Sequence, residues 1–214
     1  MLGLDNKIAG MAGGGSALVV IVVAVLLGLR HATDPDHVTA VTTLASSGRA
    51  GAARRLGMFW GFGHALTLIA FGVPIVLFRA ALPEAAQRGA ETAVGALIVF
   101  LAVRLLVRHA HPAHGGHRAR GPLAAFGIGL VHGAGGSAGV AVLLLAAIPS
   151  RSLAVVSLVV FAAFTAVSMT LVSWTLGVTV LRHSAAIAPV LGVASLAFGL
   201  WYAAAAWSLA PYPF

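Results

Sequence analysis

The chain is predicted to be an all-α, polytopic membrane protein with about six transmembrane helices, and three observations predict it. Its 214 residues are 60% hydrophobic and 8% charged, with a mean hydropathy of +1.01, so there is too little polar surface to face water on every side. Apolar runs of about 18 or more residues recur along the whole length, and each is long enough to cross a hydrocarbon core roughly 30 Å thick as a helix. The arginines gather in the short segments between those runs, where they set orientation.

The formal net charge of +8 is accounted for in that way, so the lipid bilayer is the expected partner and nucleic acid is not. The chain contains no cysteine, which excludes disulfides, thiolate metal sites and thiol catalysis. Any metal chemistry must therefore use imidazole and carboxylate groups.

The first apolar run, Ala17 to Leu29, follows Lys7 and a Gly-rich start, Gly13 to Gly15, as a signal peptide would. It continues into Arg30 and a charged cluster with no small-residue cleavage site, so it reads as mature structure. Five more spans follow, at Leu56 to Phe78, Glu91 to Val107, Leu123 to Ile148, Leu153 to Leu181 and Ile187 to Leu209. Arg49, Arg54, Arg55, Arg104, Arg108, Arg118, Arg120 and Arg182 then fall on one side, and Lys7, Arg79, Arg88 and Arg151 on the other. This asymmetry predicts a cell-membrane protein with both termini outside and the first, third and fifth loops in the cytoplasm.

Weakly polar or apolar sequence runs from Ser16 to Ser47, and a straight helix of that length would reach about 48 Å. The predicted break is Thr33-Asp34-Pro35, because proline lacks the amide that would bond the His31 carbonyl, while Asp34 can cap a new helix with Pro35 at its first position. Irregular backbone at membrane depth is tolerated only where it lines a cavity or is buried in protein, so this break is the leading candidate for a binding site.

Gly28-Leu29-Arg30-His31-Ala32 aligns with Gly129-Leu130-Val131-His132-Gly133, and Gly95-Ala96-Leu97 with Gly192-Val193-Ala194, in the same order. With three spans between the copies, this suggests an inverted 3+3 repeat within one transmembrane domain, residues 1–214, with halves 16–108 and 122–209 joined by a His-rich segment, 109–121. Small-residue-rich membrane helices also resemble one another without common descent.

The chemistry concentrates in Arg30-His31-Ala32-Thr33-Asp34-Pro35-Asp36-His37. A charge at the bilayer centre costs on the order of 2.5–3.5 kcal/mol on insertion scales, so this cluster calls for partners, water or a bound ion. A divalent cation would neutralise both carboxylates and use both imidazoles, and N/O ligation suits Ni²⁺, Co²⁺ or Zn²⁺. A structural alternative is an Arg30–Asp34 ion pair with a capping aspartate and the histidines at the water interface.

The segment Arg30 to His37 resembles the first signature of the nickel/cobalt transporter (NiCoT) family, a His-x4-Asp-His helix, and its form with proline is similar to the shorter urease-accessory-type nickel permeases. The resemblance implies a metal role for His31, Asp34, Asp36 and His37. The family's second signature, a Gly-His step in the next helix, is matched by Gly61-Phe62-Gly63-His64 followed by Thr67. His64 lies about 12 Å along its helix from Leu56, so it can face the broken helix. The family's later acidic signatures are absent, and Val131-His132-Gly133-Ala134-Gly135-Gly136-Ser137 stands in the corresponding place, with His132 as a further candidate ligand. The glycines around His132, and Gly57 with Gly61, suit close helix packing.

The expected metal ligands are thus His31, Asp34, Asp36, His37, His64 and His132, with the metal as cargo and no resident cofactor. The tract His109, His111, His114 and His117 reads as a flexible metal-buffering or sensing loop, or as a merely solvated one. No H-E-x-x-H, P-loop or serine-triad motif is found, so a transporter is expected rather than an enzyme. The leading reading is Ni²⁺ or Co²⁺ uptake by alternating access. Efflux of the same metals, a membrane metalloenzyme, and a homo-oligomer or a complex with an accessory subunit stay open on sequence alone.

Overall fold

The structure, a computed structural model, describes residues 17–45, 50–79, 83–111, 121–135, 137–182 and 184–211. Lys7, Gly13 to Gly15, Ser16, Ser47, Arg49, His114, His117, Arg118, Arg120 and Gly136, all used in the sequence reading, lie outside the described residues. Every described element is helical: α1 (Ala17–His31), α2 (Pro35–Ala45), α3 (Ala50–Phe78), α4 (Glu84–Ala110), α5 (Pro122–His132), α6 (Ser137–Ala146), α7 (Arg151–Arg182) and α8 (Ser184–Ala205).

Four of these helices carry stretches long and apolar enough to cross a membrane, at Gly51–Phe78, Glu84–Ala110, Arg151–Val178 and Ala188–Ala205. The pair α1–α2, bent by 48°, forms a fifth such unit. The chain is a multi-pass helical membrane protein. Its surface is inverted relative to a water-soluble fold: Phe62, Leu66, Phe71, Phe100 and Leu171 point outward, whereas His31, Asp36, His37, His64 and His132 are buried.

The first break falls where proline predicts it. With no amide on Pro35, the Asp34 amide bonds the His31 carbonyl at 3.1 Å, and the Thr33 amide and hydroxyl bond the Arg30 carbonyl at 2.8 and 2.6 Å. The second half-helix then starts at Pro35, and the Val38 amide bonds the Asp34 carbonyl at 3.0 Å.

The fourth predicted span requires a correction. Leu123 to Ile148 is not one continuous helix, because α5 ends at His132 and α6 begins at Ser137. Gly133 and Gly135 end the first segment for a steric reason. A Cβ at Gly133 would lie 2.7 Å from the His64 carbonyl oxygen, and one at Gly135 would lie 2.9 Å from the Ala90 carbonyl. These glycines therefore do more than allow packing, since the backbone is pressed against α3 and α4 where it leaves the helix.

The two longest helices, α3 and α7, cross in close contact, with Gly57 and Gly61 seated against Ser173 and Ala166. In the same way α4 lies on α8, with Gly95 against Ala203 and Gly199 against Val99. One apolar cluster joins Val20, Leu27, Leu68, Leu145, Leu158 and Phe161. A second joins Ala32, Val41, Leu56, Trp60, Leu101 and Met169. The polar residues of the candidate site lie between them. Arg54 and Arg55, expected in a loop, belong to the start of α3, and Arg104 and Arg108 to the end of α4.

Candidate metal site

Three elements deliver the site. The α1–α2 break supplies His31 as the last residue of α1 and Asp36 and His37 in the first turn of α2; α3 supplies His64, and α5 supplies His132 as its last residue. His31, Asp36, His37, His64 and His132 are each at most 4% exposed. Side chains that the sequence separates by about a hundred residues therefore share one dry volume.

His31 Nε2 and His64 Nε2 are 3.1 Å apart. The His37 ring lies 4.5 Å from that of His31, 4.9 Å from that of His64 and 4.5 Å from that of His132, centroid to centroid. His37 Nδ1 is 2.9 Å from Asp36 Oδ1. Asp36 Oδ2 is 3.3 Å from His132 Nε2 without hydrogen-bond alignment. Four buried nitrogens, His37 Nε2, His64 Nδ1, His132 Nδ1 and His132 Nε2, find no hydrogen-bond partner. An unpaired buried polar atom is costly, so these nitrogens call for a partner.

Two sets of side chains could hold an ion, His31–His37–His64 and Asp36–His37–His132, in each of which the candidate ligand atoms lie within 4.8 Å of one another. His37 belongs to both. Two imidazole nitrogens held about 2.0–2.1 Å from one ion stand about 2.9–3.4 Å apart, so the 3.1 Å between His31 and His64 needs little adjustment. Of the six residues singled out in the sequence, five fall into these sets. Asp34 lies outside these sets, with its Oδ2 3.2 Å from His31 Nδ1.

The ion-pair alternative covers less of this. Arg30 Nη2 and Asp34 Oδ1 are 4.0 Å apart, with the arginine side chain 37% exposed, whereas the Asp34 contact to His31 is shorter. The pair gives no reason for Asp36, His37, His64 and His132 to meet. The four histidines are all buried inside the protein rather than exposed on its surface.

Sequence reasoning passed over the residues that frame the cluster. Trp60, 1% exposed, packs its ring 5.8 Å from His37 and 5.6 Å from His132, and Phe161 stands 5.4 Å from His31. Hydroxyls support the two half-helix ends: Ser168 donates to the Leu29 carbonyl at 2.6 Å, and Thr67 donates towards the Leu130 carbonyl at 3.0 Å. Glu91, read only as the edge of a span, is 3% exposed and accepts a bond from Gln87 at 3.0 Å. Of the His-rich tract, His109 and His111 sit exposed at the end of α4, apart from the buried cluster.

The described fold is that of a multi-pass helical membrane protein with a buried His/Asp cluster, and over residues 17–110 the chain is similar to nickel transporters. Residues 17–110 match the family described as high-affinity nickel-transport protein, which includes the broken helix and His64. The chain is 27% identical over 206 residues to the urease accessory protein UreH of Bacillus sp. (strain TB-90), covering 86% of this chain and 90% of that one. No solved structure matches. The resemblance read from Arg30 to His37 is thereby borne out.

Proposed function

We propose that the chain carries a divalent transition-metal cation across the cell membrane, Ni²⁺ first and Co²⁺ as its near equivalent, in the direction of uptake. The observation that carries this reading is the pair of buried ligand sets sharing His37, at the point where broken helices from both parts of the chain meet. Imidazole and carboxylate donors without thiolate suit Ni²⁺ and Co²⁺ and disfavour Cu⁺. The match to a nickel-transport family over residues 17–110 and the likeness to a urease accessory protein support nickel as the cargo.

The sharing of His37 gives a chemical route. His37, common to both sets, is placed to hand an ion from His31 and His64 to Asp36 and His132. The second set contains a carboxylate inside it and the first has Asp34 behind it, so the ion's charge is compensated differently at the two stations. Six crossings in an inverted 3+3 arrangement, with both termini outside, suit alternating access around such a site. Spacing supports the repeat: Gly28 with Gly129, Leu29 with Leu130, His31 with His132, Trp60 with Phe161 and Thr67 with Ser168 are each offset by 101 residues, and Gly95 with Gly192 by 97.

The test is flux. Purified protein in liposomes containing a metal-sensitive dye should admit Ni²⁺ and Co²⁺, and the same vesicles loaded with metal report release if the direction is outward. Saturable binding without movement in either direction would remove the transport reading.

A further inference from the structure

We propose that Ser168 and Thr67 are positioning residues of the metal site, each fixing from one part of the chain the half-helix end that carries a histidine ligand of the other. The inference rests on the metal reading of the cluster given above. Ser168 on α7 donates to the Leu29 carbonyl at 2.6 Å, two residues before His31. Thr67 on α3 reaches the Leu130 carbonyl at 3.0 Å, two residues before His132. Both carbonyls belong to the last turn of a helix that stops inside the bilayer, where carbonyls lose their usual amide partners and water is not at hand to replace them.

Three threonines on α7 bond within their own helix, whereas the buried Ser157 and Ser173 hydroxyls find no partner. Thr165, Thr170 and Thr175 donate to Phe161, Ala166 and Leu171, each to the carbonyl four residues back in its own helix. Ser168 instead crosses to α1. The backbones around each bond are pressed together to the limit, since a Cβ at Gly28 would lie 2.6 Å from the Phe161 carbonyl oxygen and one at Gly129 would collide with that of Trp60. His31 and His132 are therefore held by a hydroxyl bond and a glycine contact apiece, arranged alike.

The two bonds differ in one respect. Ser168 makes a single short bond, whereas the Thr67 hydroxyl lies within reach of both Leu130 at 3.0 Å and its own Gly63 carbonyl at 3.2 Å. With one hydrogen it serves one acceptor at a time. The α1 end is thus the more firmly held of the two, and the α5 end can release without stranding the Thr67 hydroxyl, which falls back on its own helix while the Leu130 carbonyl gives up its partner.

The experiment measures Ni²⁺ affinity and the visible Co²⁺ ligand-field spectrum of the full chain in detergent. Valine and threonine are close in volume, so Ser168→Val against Ser168→Thr isolates the hydroxyl, as does Thr67→Val against wild type, with Thr67→Ser keeping the hydroxyl. Ser168→Val should weaken Ni²⁺ binding by about 10–100-fold, the range for residues that orient a metal ligand, and alter the Co²⁺ bands, with Ser168→Thr near wild type. Thr67→Val should do the same to a smaller extent, with Thr67→Ser near wild type. Should a valine variant not extract intact, Ser168→Ala and Thr67→Ala are read in its place. Wild-type affinity and spectrum in the variants without a hydroxyl would overturn the proposal even if their thermal stability falls. Equal losses in the Ser168→Thr and Thr67→Ser variants would overturn it as well. A wild-type chain that binds neither ion overturns the metal reading beneath it, which is a separate result.

Discussion

His31 and His64 are 33 positions apart in the chain, yet their Nε2 atoms face each other at 3.1 Å with both rings buried. One ring ends a half-helix and the other projects from the middle of the long helix α3. Two facing imidazole nitrogens can share one proton or one metal ion. If the ion is what they serve, replacing either ring should remove an inner ligand and leave the fold in place, because alanine is tolerated in both helices.

His64→Ala should accordingly lower Ni²⁺ flux in liposomes by more than about a hundredfold, beyond what loss of an outer orienting group gives, while insertion and yield stay near wild type. Flux retained within about threefold would remove His64 from the site, that being the size of ordinary context effects.

Asp34→Asn tests the distinction between ligand and support. Asp34 touches His31 Nδ1 at 3.2 Å and belongs to neither ligand set, so the amide should weaken apparent Ni²⁺ affinity by about 10–100-fold with maximal flux largely kept. Asp36→Asn, in contrast, should lower maximal flux, because Asp36 lies inside a set. Equal effects of the two substitutions would contradict the assignment.

How much of this could be read from the sequence depends on chemistry that carries a cost. Charged and imidazole groups between apolar flanks stand out, so His31, Asp34, Asp36, His37, His64 and His132 were legible as candidates, as was the break at Pro35. The break after His132 was not, since Gly133, Ala134 and Gly135 carry no charge and glycine is frequent in membrane helices. Trp60, Phe161 and Ser168 are ordinary membrane-helix residues until the cross-helix contacts give them a role, and Thr67, singled out beside His64 in the second signature, gains its contact to Leu130 only in the fold.

Glycine substitutions probe the packing that brings α5 to α3. Gly127 has open space where a Cβ would go, whereas at Gly129 the space is filled by the Trp60 carbonyl. Gly127→Ala should be neutral or stabilise by up to about 1 kcal/mol from helix propensity alone. Gly129→Ala should destabilise by about 1–3 kcal/mol or more through overpacking, seen as a lower thermal midpoint in detergent. Similar midpoints for the two variants would mean that α5 does not lie where it is described.

The His-rich tract offers a control. His109 and His111 are exposed at the end of α4, so replacing His109, His111, His114 and His117 together by Ser should leave maximal Ni²⁺ flux within about twofold, as expected for surface changes. Abolished flux in correctly inserted protein would bring the tract into the translocation path.

The sharpest measurement concerns the residue common to both ligand sets. Ni²⁺ and Co²⁺ flux should be compared between wild-type chain and a His37→Ala, Asp36→Ala double variant, reconstituted at equal protein density in dye-loaded liposomes. Removing both side chains disables the Asp36–His37–His132 set and takes the shared ligand from His31 and His64. The account predicts robust saturable flux for wild type and none above empty vesicles for the double variant, with both proteins inserted to the same extent. Wild-type flux through the double variant would contradict it.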